Sequence, residues 1–346
     1  MIEKISGYTR FLKAIEAQPV DRPPIWMMRQ AGRSLPEYLE LKKGRNFSDL
    51  VNDPFLAKEI TLQPLERFDY DAAIVFSDIL VVAEMMGINY EVQEKGGVKV
   101  DFDLSHNNDL KKISSHSSNK QNNTPEAIKL ISEEIKGSKA IIGFAGSPWT
   151  LASYIIEGGS SKDNLKSRAI ANENPKLLDD FLERITDTTI QYLNDQINAG
   201  ADVIQIFDSQ GGTLSSYHYW NVSGKWIKKI IDSLGKRVPF IVFARGVHHN
   251  WDELTYTGAN ALSIDWNINI KKTADLLPKN VAIQGNLDPA LLTTNPDAAI
   301  AATKIILEDM KNRNGFIFNL GHGVTPNAKI ETIQAVTNTV QNYLTY

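Results

Sequence analysis

Two arginines, Arg29 and Arg33, stand four residues apart around the turn Gln30-Ala31-Gly32. Two guanidinium forks at that spacing, with the backbone N–H groups of the turn between them, suit an anion, because arginine binds carboxylate or phosphate bidentately. Each charge-assisted hydrogen bond contributes about 1.5–3 kcal/mol, so such a pair is enough to orient a polycarboxylate. The plain alternative is a solvated loop. Asp78 is a lone carboxylate leaving the apolar run Val75-Phe76. It reads either as an N-cap for the helix that follows or as an acid at a pocket mouth, shielded from water by apolar neighbours. Three more places end an apolar run in polar residues and glycines: Gly146-Ser147-Pro148, with Tyr154 beyond it; Asp208-Ser209-Gln210-Gly211-Gly212; and Gly321-His322-Gly323. A histidine flanked by glycines is open to whatever occupies the site, whereas Tyr154 could as easily serve packing.

Several chemistries are excluded. The chain contains no cysteine, which removes disulfides, thiolate catalysis and every zinc site that uses sulfur. There is no His-Glu-x-x-His, no P-loop and no Gly-x-Ser-x-Gly elbow. The adjacent His248 and His249 point in different directions on any regular element and make a poor metal site. With 37 basic against 41 acidic residues the net charge is −4, which gives no global reason to bind nucleic acid or anionic lipid. An anionic ligand must therefore meet a local basic pocket. No apolar run reaches the roughly 20 residues that span a bilayer, and no secretory signal opens the chain, so a cytoplasmic protein is expected.

The candidate residues share a placement, each just past a short apolar run. Eight such runs read as strands, at 24–28, 72–76, 140–144, 202–207, 239–243, 261–264, 281–283 and 315–319. They are continuously apolar rather than alternating, as in a parallel sheet covered on both faces. Helical sequence follows each. Thr124-Pro125 and Asn295-Pro296 look like caps with proline in the first turn, and the stripe Leu182, Ile185, Thr189, Leu193, Ile197 ends at Gly200. Eight β–α units predict an α/β fold, a single (β/α)8 TIM barrel occupying residues 1–346, with the site at the C-terminal ends of its strands. The stretch 88–102 reads as a β-hairpin excursion after strand 2, turning at Gly96-Gly97, and 105–123 as a polar surface loop.

Taken together, Met28-Arg29-Gln30-Ala31-Gly32-Arg33-Ser34-Leu35-Pro36-Glu37, Phe76-Ser77-Asp78-Ile79-Leu80, Gly146-Ser147-Pro148-Trp149-Thr150 and Asn319-Leu320-Gly321-His322-Gly323 closely resemble the uroporphyrinogen decarboxylase family, in order and over almost the whole chain. The resemblance implies a barrel enzyme, usually a homodimer. It would convert uroporphyrinogen III to coproporphyrinogen III in haem biosynthesis by removing four acetate carboxyl groups, with no cofactor and no metal. It also implies roles by position. Arg29, Gln30, Ala31, Gly32 and Arg33 match the substrate-binding loop, and Asp78 the aspartate facing the pyrrole N–H groups. Tyr154, Ser209 and His322 match substrate contacts, and Asp78 and Arg29 are the catalytic candidates. Asp208 departs from the family, where glutamate is common. A pyrrole acts as its own electron sink once its ring is protonated, so a fixed anion beside the cationic ring would lower the barrier. Two rivals remain. One is a zinc- and corrinoid-linked methyltransferase of the same superfamily, disfavoured by the lack of cysteine; the other is a non-catalytic tetrapyrrole carrier.

Overall fold

In chain order the strands are β1 (Ala72–Ile74), β2 (Tyr90–Val92), β3 (Val98–Val100), β4 (Ala140–Gly146), β5 (Val203–Asp208), β6 (Phe240–Ala244), β7 (Ala261–Ser263), β8 (Ala282–Leu287) and β9 (Phe316–Leu320). The computed structural model describes residues 5–344 except 94–96, 103, 105–109, 111, 112 and 114–122, so most of the expected polar loop 105–123 lies outside the described residues. Seven strands form one parallel sheet in the order β1-β4-β5-β6-β7-β8-β9, with registers such as Ile74 opposite Ile142 and Phe207 opposite Phe243. All their residues are buried, which is why these strands lack the alternation of a half-exposed sheet. β2 and β3 pair antiparallel outside the sheet, where the hairpin was expected; its turn at 94–96 is not among the described residues.

The eighth expected strand, 24–28, is not a strand. Only Ile25 pairs in ladder fashion, as an isolated parallel bridge to Phe318. The reason lies in its donors. Pro23 and Pro24 have no N–H to offer. Of the next four N–H groups three go to side chains, Ile25 to Asp71 Oδ2 (2.8 Å), Met27 to Gln30 Oε1 (3.1 Å) and Met28 to Asn319 Oδ1 (2.9 Å), and only Trp26 N reaches a strand carbonyl, Phe318 O, at 3.4 Å. The segment still joins the two edges of the sheet, since Phe318 N donates to Pro24 O (2.9 Å) and Asp71 N to Ile25 O (2.9 Å). The seven-stranded sheet thus curls until β9 and β1 flank one segment.

The two ends of the curled sheet differ. At the N-terminal end Asp71, fully buried, accepts from Arg10 (2.7 Å) and from both Arg22 Nη1 (2.7 Å) and Nη2 (3.0 Å). Inside, Trp26 Nε1 donates to Gln284, whose amide reaches Gln205 and Ser263. The covering helices start and stop as their sequences indicate. Pro175–Ala199 ends at Gly200 in the left-handed region (φ 116°), and the Asn295 side chain caps Pro296–Met310 by accepting from Ala298 N (3.0 Å). The helix Thr124–Ile135 begins one residue earlier than expected. Asn123 is its N-cap, and the Thr124 hydroxyl is drawn instead to Ser77 (2.9 Å) and Tyr192 (3.3 Å). Among the described residues no helix is long and apolar enough to cross a membrane.

Candidate active site

The loop 29–33 is held from below by its own neighbours. Gln30 is buried and spans inward, accepting from Met27 N and donating to Ala72 O (3.0 Å). That tie turns the chain sharply, with Arg29 and Arg33 both at φ 59° and Gly32 at φ 86°. Two non-glycine residues in the left-handed region cost on the order of 1–3 kcal/mol each and persist where surrounding contacts enforce them. Here those contacts are the Gln30 side chain and the Tyr38 ring, 3.4 Å from where a Cβ on Gly32 would stand. The loop therefore presents Arg29 and Arg33 outward while Gln30 serves as its internal strut. Among the described residues neither guanidinium has an ion-pair partner, and the N–H groups of Ala31, Gly32 and Arg33 have no backbone acceptor.

Arg29 is exposed to solvent yet walled by protein, the situation of a group at the bottom of an open cup. Crowding by protein and the neighbouring Arg33 charge lower its affinity for a proton, while Tyr154 and Asp78 act in the opposite sense. Those same effects place Arg33, Tyr154 and Asp78 around it. Gly323 packs on its stem, for a Cβ there would lie 2.3 Å from Arg29 Cδ. Gly321 is as constrained, with a Cβ coming 2.2 Å from Trp266 N. The glycines around His322 are thus demanded by backbone approach and by Arg29.

Asp78 is not the N-cap of the helix that follows: Leu80 holds that position, without a side-chain cap, and Asp78 lies two residues before it. Its Oδ1 accepts from Leu80 N (2.8 Å), a local turn that starts the helix Val81–Met85, while Oδ2 has no hydrogen-bond partner among the described residues. The carboxyl is half-buried at the end of the segment following β1. Surrounding protein raises its pKa above the usual carboxylate range and Glu84 adds to this; the Leu80 N–H and Arg29 oppose it. Tyr90, on β2 of the hairpin, faces the same carboxylate, and burial together with Asp78 and Glu84 pushes its phenol far above its ordinary value. The hairpin thus supplies a wall beside Asp78, a contribution that sequence reasoning did not assign.

His322 follows β9 and is half-buried between the rings of Phe243 (centroids 5.9 Å) and Trp266 (6.1 Å). Burial, then Arg29, Arg245 and Arg33, pull its pKa down to about 4, with Asp265 acting in the other direction. It is neutral at pH 7. Ser209 stands in the turn after β5, half-buried, its hydroxyl without a partner among the described residues. Beside it Asp208 is fully buried and accepts from four hydroxyls: Ser147 (2.6 Å), Ser223 (2.9 Å), Tyr219 (3.1 Å) and Thr150 (3.3 Å). Burial raises its pKa and those hydroxyls oppose the rise. Ser147, also at a strand end, is turned inward as the cap of Pro148–Glu157 and as a donor to Asp208. Phe144, Phe207 and Phe243 form an edge-to-face row at 5.6 and 6.2 Å that leads to His322. In the sequence these rings look like ordinary strand interior, and nothing there marks them as site.

Comparison with known proteins shows the family. The family model described as uroporphyrinogen decarboxylase (URO-D) matches residues 7–343. The chain belongs to the uroporphyrinogen decarboxylase family. It is 41% identical over 341 residues to the uroporphyrinogen decarboxylase of Pseudoalteromonas translucida, covering 96% of each chain. It is 42% identical over 336 residues to that of Neisseria meningitidis serogroup A, covering 95% of each. Among solved structures, a methyltransferase from Methanosarcina mazei superposes with a TM-score of 0.82 over 98% of this chain and 99% of that one, at 22% identity. The last likeness speaks for the family's fold alone.

Proposed function

We propose that this chain is a uroporphyrinogen decarboxylase, removing the four acetate carboxyl groups of uroporphyrinogen III as CO2 to give coproporphyrinogen III. The observation that carries this reading is a cup holding guanidinium groups that have no ion-pair partners among the described residues, beside one half-open carboxylate, Asp78, in a chain that matches the family over residues 7–343. The substrate has eight carboxylates. A protein of net charge −4 needs its positive groups concentrated to hold it, and Arg29, Arg33 and the free N–H groups of their loop do that. Ser209, Tyr154 and the neutral His322 add hydrogen-bonding groups, while Phe144 and Phe207, which keep a little exposed surface in front of the fully buried Phe243, offer apolar contact to the macrocycle. In this reading the curled sheet is the wall of a complete (β/α)8 barrel forming one domain, and the enzyme is a cytoplasmic homodimer.

The chemistry needs little more. A proton added to the pyrrole carbon next to the one bearing the acetate makes a conjugated cation. The C–CO2 bond then breaks, its electron pair enters the ring as an exocyclic methylene, and CO2 leaves. A second proton converts that methylene to methyl, and loss of the first restores the pyrrole, so one proton is consumed for each CO2. Asp78 accepts pyrrole N–H hydrogen bonds through Oδ2 and stabilises the cation electrostatically. Its raised pKa reflects a carboxylate that protein solvates poorly, and the cationic ring relieves that cost. The methyltransferase alternative is left without a ligand type, for the chain has no cysteine to bind zinc through sulfur. Labelled CO2 release from uroporphyrinogen is the deciding assay. Asp78→Asn should lower kcat by about 100-fold or more, the loss typical of removing one electrostatic stabiliser. Near-wild-type turnover in that variant would remove the proposed role, and tight binding with no CO2 from the wild type would make the protein a carrier.

A further inference from the structure

Arg245 directly follows β6, at the same end of the sheet as Asp78, Ser209 and His322. Its backbone is held on both sides: its N–H donates to Asp208 O (3.2 Å) and its carbonyl accepts from Gly212 N (2.9 Å). Gly212 is a required residue there, because a Cβ would lie 2.6 Å from the Arg245 carbonyl oxygen. The side chain is exposed, and its guanidinium lies over the Trp266 ring, 5.8 Å from the centroid. Among the described residues it has no ion pair and no side-chain hydrogen bond. The carboxylate best placed to neutralise it, Asp265, is committed elsewhere. Its Oδ2 accepts from Gly246 N (2.8 Å) and its Oδ1 from Asn267 N (3.0 Å). His248 Nε2 also lies 2.8 Å from Oδ1. Arg245 and Arg29 both act on His322, and only Arg29 acts on Asp78.

We propose that Arg245 is a further substrate-binding residue, a third guanidinium fixed over Trp266 that takes a carboxylate on the side of the macrocycle away from the loop 29–33. The inference rests on the decarboxylase reading, since a macrocycle with carboxylates around its whole edge needs cations on more than one side. An indole face orients a guanidinium without consuming its N–H donors, which leaves the fork free for a bidentate carboxylate.

Wild type, Arg245→Gln, Arg245→Lys and Arg33→Ala are compared for CO2 release and for equilibrium binding of uroporphyrin, the oxidised and unreactive octacarboxylate. Loss of one bidentate contact should raise KM and the uroporphyrin Kd of Arg245→Gln by about 10- to 100-fold, with kcat within about threefold. Arg245→Lys should recover part of the affinity, because the charge stays while the fork is lost. Wild-type affinity in Arg245→Gln beside weakened binding in Arg33→Ala would overturn the role of Arg245 and leave the decarboxylase reading standing. Absence of CO2 from a wild type that binds uroporphyrin through Arg245 would sink that reading and leave the carboxylate site. An Arg245→Gln protein with a lowered Tm and unchanged Kd would mark the residue as structural, against the proposal.

Discussion

The depressed pKa of His322 can be tested as a stability effect. In the unfolded chain the imidazole titrates near 6.5, and in the folded protein near 4, because burial and three guanidinium groups disfavour its charged form. Between those values the unfolded state binds a proton that the folded state refuses. The sign follows: the contribution to stability is complete above pH 6.5 and is lost as pH falls toward 4. At about 1.4 kcal/mol per pH unit the whole interval is worth roughly 3 kcal/mol. A half-buried ring is partly screened by water, so we expect about 2 kcal/mol. The perturbation is His322→Gln, which keeps hydrogen-bonding capacity and removes the titration. Denaturant unfolding at closely spaced pH values from 7.5 to 4.5 is the assay, with the difference between the two proteins taken at each pH to cancel the other five histidines of the six. Wild type should lose about 2 kcal/mol more than the variant across the interval. A difference that stays constant with pH, or an NMR titration placing His322 near 6.5, would refute the cationic cup. Binding a polycarboxylate neutralises the arginines, so the same NMR signal should move upward in the complex.

Gly323→Ala places a methyl group 2.3 Å from Arg29 Cδ, 2.7 Å from its Cγ and 3.1 Å from its Cβ, so the stem must swing away and the chain at Arg29 must give slightly. KM should rise and kcat/KM fall by about 100-fold with Tm nearly unchanged, and unaltered steady-state kinetics would show that the position of Arg29 does not matter. Asp71→Ala removes the acceptor shared by Arg10, Arg22 and Ile25 N at the opposite end of the sheet. Arg10 keeps its pair with Asp21 (2.6 Å), so the buried charge left without an ion pair is Arg22, which should cost about 3 kcal/mol in denaturant unfolding, with KM preserved in whatever fraction folds.

The deep interior of the sheet was readable because both faces of each strand are covered, so the pattern is a run of apolar residues with no competing meaning. Seven runs form strands within a few residues of where they were expected. The run at 24–28 misled because apolar content says nothing about where N–H groups go. Asp71, Gln30 and Asn319 take them, and two of those acceptors are distant in the chain. Residues 29–33, Asp78 and His322 were visible as unusual local motifs. Arg245 was marked only by its position just past an expected strand, without an unusual motif around it, and Tyr90 was not marked at all, as a tyrosine in a hairpin is commonplace until something packs beside it.

What the sequence by itself determined is chemical type and order: which positions carry a charge, a hydroxyl or no side chain, where apolar runs alternate with helices, and that thiol chemistry is absent. Only the tertiary structure decided which charges meet. Electrostatic effects fall off over a few ångströms and depend on how much water is excluded, so the low pKa of His322, the raised one of Asp78 and the unspent guanidinium of Arg245 come into being when β1, β6 and β9 bring their ends together.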